Sequence, residues 1–208
     1  RRVIAPDLVG FGGSSVAARG SMDEHADDLA GLLDALGIGR AVVVGLSMGG
    51  YVTLAMSRRH RSRVAAMVLA ASRAGADSDA GRTARYQMAI AVAEEGVGPV
   101  SDALLPRLLA PDAPPDLVGA VREMMHRQPA RGVIAALKAM AARPSAFPRL
   151  GQINVPALVV AGAADGVVPV EEAESMAQAI PNARLVVIPG AGHNVQQEFP
   201  DKIVELIL

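Results

Sequence analysis

Residues 45–50 read Gly45-Leu46-Ser47-Met48-Gly49-Gly50, a serine flanked by glycines in a G-x-S-x-G string. In a chain of 208 residues with 21 glycines the bare string arises by chance about 0.1 times, so its surroundings weigh more than its letters. A β-branched run, 41–44, leads straight into it and a helical pattern leads straight out. A serine on so sharp a strand-to-helix turn has strained dihedrals, and side chains two residues to either side would collide, which accounts for the glycines. The turn also aims the hydroxyl at a helix N-terminus, where unpaired N–H groups favour developing negative charge.

A serine hydroxyl becomes a nucleophile when a base takes its proton, and the chain has four histidines to offer: His25, His60, His126 and His193. His193 ends a small-residue loop, Pro189-Gly190-Ala191-Gly192-His193, directly after the strand-like run 184–188. His25 opens a helical pattern, His60 closes one within the basic run 58–63, and His126 lies among helical segments; each reads as a surface residue. The acid that orients such a base should come from another strand's end, and Asp165 follows the run 157–161 in Gly162-Ala163-Ala164-Asp165-Gly166. Glu171 and Glu172 begin a helix, where acids complement the dipole, and Ala71-Ser72-Arg73 carries no carboxylate.

The elements that must hold these residues are short apolar runs at 2–5, 41–45, 64–70, 157–161 and 184–188, each closed by Gly, Pro or Ser, which read as buried parallel strands. Between the first two, 23–36 places Ala26, Leu29, Leu33 and Leu36 on one helical face. Helical patterns also follow at 49–59 and 171–180, so the expected fold class is α/β, a mostly parallel sheet flanked by helices. Residues 73–145 break the alternation with four helical patterns (82–93, 100–109, 117–127, 132–142) and no strand between them. The domain expectation is a core made of 1–72 and 146–208, with 73–145 inserted as a helical cap over the sheet's carboxyl edge, where open α/β sheets bind ligands. Met88, Met124, Met125 and Met140 either line an apolar pocket in the cap or fill its own core.

Twenty Lys and Arg against 21 Asp and Glu give a net charge of -1, which argues against nucleic acid as a partner. Zero cysteines exclude disulfides and thiolate sites, four histidines make a metal site an unfavoured expectation, and the apolar runs are too short to span a membrane. A soluble, cytoplasmic chain acting on a small molecule is the expectation.

The segment 2–14, Gly45 to Gly50, Asp165 and Gly190-Ala191-Gly192-His193, in the order Ser47, Asp165, His193, resemble the α/β-hydrolase fold family, in particular its small bacterial esterase and lactonase-like members. The resemblance implies Ser47 as nucleophile, His193 as base and then acid, Asp165 as orienter, Met48 N–H as an oxyanion donor with Gly49 beside it, no cofactor, no metal, and a cap that shapes an acyl pocket. It implies hydrolysis of a carboxylic ester or lactone through an acyl-enzyme, with C–C, amide and perhydrolase chemistry sharing the same triad. The family's earlier strands and His-Gly-rich oxyanion loop have no counterpart here, so the expectation is an N-terminally truncated sheet with a gap of roughly 9–10 Å beside the run 41–44. The alternative is a five-stranded sheet in chain order, with Gly10 to Gly13 near enough to Ser47 to supply a replacement N–H. The competing functional reading is a non-catalytic ligand-binding module or a minimised scaffold with an impaired oxyanion hole.

Overall fold

Apolar runs whose residues fit both faces of a sheet need helices on both sides, and the chain supplies them before, between and after its strands. The computed structural model describes residues 2–15 and 20–208; Arg1 and residues 16–19 lie outside it. Four strands, β1 (Ala41–Leu46), β2 (Val64–Ala70), β3 (Ala157–Gly162) and β4 (Ala183–Ile188), form one all-parallel sheet in the order β1-β2-β3-β4. Helix α1 (Met22–Ala35) precedes β1, and α2 (Met48–Arg59) connects β1 to β2. Helices α3 (Asp79–Glu95), α4 (Val97–Leu108), α5 (Pro115–His126) and α6 (Ala130–Ala142) fill the span between β2 and β3, followed by the single turn α7 (Phe147–Leu150). Helix α8 (Val170–Ala179) links β3 to β4, and α9 (Val195–Glu198) and α10 (Pro200–Ile207) follow β4. Among the described residues no helix is long and apolar enough to cross a membrane.

Residues 2–5, expected as a strand, do not form one. Among the described residues β1 pairs with β2 alone, and neither the five-stranded sheet in chain order nor a pairing of 2–5 with β1 is formed. A β-branched run becomes a strand only where a neighbour takes its N–H and C=O groups, and here Val3 stands 83% exposed instead. The same edge leaves Val42 and Val44 of β1 at 49% and 54% exposure. The loop that follows is nonetheless ordered by its own chemistry: Asp7 Oδ2 accepts from Gly13 N–H at 2.8 Å, and the Asp7 carbonyl accepts from the Ser14 hydroxyl at 2.7 Å.

One face of the sheet packs on α1, α2 and α8 around Leu69, Val159, Met67, Met56 and Met176, all fully buried. The other face packs on α9 and α10 through Val68, Val160, Ile188 and Val195. Helix α1 is capped at its start: the Ser21 hydroxyl oxygen accepts from Glu24 N–H, and the Glu24 carboxylate accepts from the N–H of Gly20, just before the cap. One surface expectation changes. His25 is 1% exposed, because α1 turns that face inward beside Met22 and Ala26. The basic run 58–63 is mostly exposed and is ion-paired at the surface: Arg58 with Asp23, Arg59 and His60 with Asp27, and Arg63 with Asp34, so α1 and the end of α2 are laced by charge. The hydrogen bond from Arg59, then that from His60, hold the Asp27 carboxyl down at about 2.

Candidate active site

Ser47 sits between β1 and α2 at φ 49° and ψ -112°, a left-handed conformation that costs a non-glycine residue energy and survives because its surroundings fix it. Its N–H donates to the Ala70 carbonyl of β2 at 2.8 Å, and its carbonyl accepts from the Ser72 hydroxyl at 2.9 Å. The glycines of the motif are not equivalent. A Cβ on Gly45 would overlap the backbone of Gly49 and stand 2.5 Å from Thr53 Oγ1, and one on Gly50 would overlap the Ser72 side chain. A Cβ on Gly49 meets nothing within 4 Å, so the collision expected there does not occur and Gly50 carries the steric demand instead. Met48 and Gly49 occupy the first turn of α2, where backbone N–H groups have no intrahelical acceptor.

The orienting pair is formed. β3 and β4 are parallel neighbours in register to their last residues, Gly162 opposite Ile188, so the loops after them leave side by side. Ala164 N–H donates to the Ala191 carbonyl at 2.8 Å, and glycine at 162 allows the Ala191 and Gly192 carbonyls to approach where a Cβ would stand. Asp165 Oδ1 accepts from Val167 N–H at 2.7 Å and Val168 N–H at 2.9 Å, which leaves Oδ2 for His193 Nδ1 at 2.9 Å. The side chains are 3% and 1% exposed for His193 and Asp165. A carboxylate is an acceptor only, so Nδ1 is the donor in this pair, and in the neutral imidazole Nε2 is then the acceptor. Ser47 lies at the carboxyl end of β1, the same edge of the sheet, but among the described residues its hydroxyl makes no hydrogen bond to His193 or to any other group. His60 and His126 are held by Asp27 and Asp102, away from this pair.

The glycine loop near the start of the chain is turned inward. Gly10 N–H donates to Ser15, Phe11 N–H to Leu8, Gly13 N–H to Asp7 and Ser14 N–H to Phe11, so those four donors are spent within the loop rather than offered to an oxyanion. Its outer contact is with α6, where only glycine at 132 admits the Gly10 carbonyl.

Three features had no signal in periodicity. The first is a buried ion network at the two ends of the helical insertion. Asp77, before α3, pairs with Arg85 and with Arg143, which follows α6; the Asp77–Arg143 distance is 2.9 Å and both side chains are about 5% exposed or less. Arg143 also lies 3.9 Å over the Tyr51 ring, one turn along α2 from Ser47. Burial pushes the Asp77 carboxyl up, but the Arg85 hydrogen bond and the charges of Arg143 and Arg85 together hold it below its ordinary value. The second is Arg107 at the end of α4, which donates to the Gly166 carbonyl through Nε at 2.9 Å and Nη2 at 2.7 Å. The third is Glu198, whose carboxylate accepts from Gly192 and Ala110 N–H groups. The methionines of the insertion pack mostly with their own helices: Met88 and Met140 between α3 and α6, Met125 between α4 and α5, with Met124 exposed.

The family described as alpha/beta hydrolase fold matches residues 1–200, and the chain belongs to it. It is 35% identical over 219 residues to the dihydrolipoyllysine-residue acetyltransferase component of the acetoin cleaving system of Pseudomonas putida, covering 100% of this chain and 55% of that protein. It is 31% identical over 219 residues to 2-hydroxymuconate semialdehyde hydrolase of Pseudomonas putida, covering 100% of this chain and 75% of the relative. The chain thus spans about half of the first relative and three quarters of the second. Among solved structures, a thermophilic esterase from Thermogutta terrifontis, bound to malate, superposes with a TM-score of 0.93 at 40% identity, over 97% of this chain and 76% of that one.

Proposed function

We propose that the chain is a serine hydrolase that cleaves a carboxylic ester or lactone of a small-to-medium apolar acyl group. The observation that carries the reading is the buried Asp165–His193 pair on the same sheet edge as the strained Ser47 turn. Ser47 Oγ attacks the carbonyl carbon while its proton passes to His193 Nε2, and Asp165 stabilises the imidazolium from the Nδ1 side. The Met48 N–H, with Gly49 beside it in the first turn of α2, faces the oxyanion. Collapse expels the alkoxide, which takes the proton from His193; water then repeats the cycle on the acyl-enzyme. No step calls on a metal or cofactor. Residues 73–145 act as a lid, held to the core at 107, 110 and 143. The esterase likeness at 40% identity supports ester chemistry over the alternatives the same triad serves.

The second reading is a ligand-binding or minimised scaffold with the triad residues in place but no turnover. Steady-state and burst kinetics with p-nitrophenyl esters of graded acyl length separate the two. A burst of one p-nitrophenolate per chain, lost in Ser47→Ala and His193→Ala, supports the hydrolase; folded protein with no turnover supports the scaffold.

A further inference from the structure

The residues placed in the reaction lie outside the helical insertion, yet the insertion is hydrogen-bonded to the loops that carry two of them. On the acid side, the Arg107 guanidinium grips the Gly166 carbonyl, one residue beyond Asp165. On the base side, Asn194 N–H, one residue beyond His193, donates to the Leu108 carbonyl at 2.9 Å. The remaining tie passes through a side chain. Glu198 Oε2 accepts from Ala110 N–H at 2.8 Å, while Oε1 and Oε2 accept from Gly192 N–H at 3.0 and 3.1 Å. A carboxylate that holds two backbone donors makes charge-assisted bonds, stronger than neutral ones. The approach is close enough that a Cβ on Gly192 would overlap the Ala110 nitrogen and stand 2.6 Å from the Leu109 carbonyl carbon.

We propose that Glu198 is a positioning residue for the hydrolysis, setting where the His193 ring stands by fixing the residue before it to the end of α4. This rests on the reading of His193 as the base. The backbone of 192–194 has an anchor on each side of His193, Glu198 before and Leu108 after, and both lead to the same segment of the insertion, 108–110. The ring is thereby held against Asp165 from outside the pair, and the lid's position and the base's position become one variable. A lid shift that breaks the Ala110 bond loosens His193, so chemistry is tied to lid seating as well as to substrate fit.

Glu198→Ala removes the acceptor for both N–H groups, and Glu198→Gln keeps one oxygen that can serve them but turns an N–H₂ toward the Gly192 donor. With a p-nitrophenyl ester, kcat should fall roughly 10- to 100-fold in Glu198→Ala, by the cost of misplacing a reacting group by about 1 Å, with KM within about three-fold and Glu198→Gln in between. Rates are taken per folded molecule well below the melting temperature, so a residue that only stabilises the fold would lower Tm and leave kcat unchanged. That outcome, in either variant, overturns the proposal, and Glu198→Gln decides it if the alanine variant does not fold. If wild-type protein neither turns over nor labels at Ser47, the hydrolase reading fails by itself. The positioning is then read from the His193 Nδ1–H proton resonance, which should broaden or vanish in Glu198→Ala; an unchanged resonance overturns it.

Discussion

Gly45→Ala and Gly49→Ala make the sharpest comparison, because the motif treats the two positions alike and the structure does not. A Cβ at 45 would lie under 3.0 Å from the carbonyl carbon and oxygen of Gly49, which are backbone atoms of the first turn of α2 and cannot swing away. Relief requires that turn to retreat by about 1 Å, which costs roughly 1–3 kcal/mol as overpacking and moves Ser47 with it. For a domain of this size that is a fall in Tm of roughly 2–12 °C, and the displaced hydroxyl should lower ester turnover about 100-fold. At 49 the new Cβ meets nothing, and alanine in a helix is better than glycine by about 0.5–1 kcal/mol, so Tm should hold or rise by up to about 4 °C. Differential scanning fluorimetry on both variants, with turnover of p-nitrophenyl butyrate on Gly45→Ala, checks this. Equal destabilisation by the two substitutions, or a Gly45→Ala protein with wild-type Tm and rate, would refute the steric account of the turn.

Asp165→Asn should keep the fold but lower kcat by roughly 10⁴, since an amide that donates toward the ring selects the wrong tautomer; stopped assays over a range of enzyme concentration give the number. Asp77 and Asp27 are both held below the ordinary carboxylate range, so their contributions to stability are complete above about pH 4 and lost as pH falls through their folded values. The fall in Tm below about pH 4 should therefore be shallower in Asp77→Asn than in wild type, even though the variant is less stable at neutral pH; parallel curves would remove Asp77 from the account. Replacing residues 77–143 with a short linker should impair turnover of even the smallest ester, because Arg107, Leu108 and Ala110 leave with the insertion. Full activity toward p-nitrophenyl acetate in a folded variant would show that the insertion serves substrate choice alone.

The parts of the fold that could be read from the sequence are those that local pattern decides. The runs at 41, 64, 157 and 184 are strands because each is apolar on both faces and closed by a turn, and the helix starts fall within about three residues of where the apolar periodicity begins. Asp165 and His193 were legible as a pair because they end consecutive strands, and consecutive strands here are neighbours. The run at 2–5 has the same composition as the strands but, among the described residues, no ladder partner, and no local pattern records whether a partner exists. The short helices α7 and α9 are single turns without a periodic signature, and α10, whose Ile203, Leu206 and Ile207 cover the far face of the sheet, shows its apolar face only once the sheet is known. Glu198, Arg107 and Arg143 are ordinary charged residues until tertiary contact brings a carbonyl, an N–H or an aromatic ring to them.

The central claim is that Ser47 is a nucleophile activated by His193. Wild-type protein, Ser47→Ala and His193→Ala should each be incubated with a fluorophosphonate and the adduct located by peptide mass spectrometry. The account predicts one phosphonyl group per wild-type chain, on the peptide containing Ser47, with none on Ser47→Ala and a rate at least about 10³-fold slower on His193→Ala. Folded wild-type protein that takes up no probe, or takes it up on another residue, would contradict it.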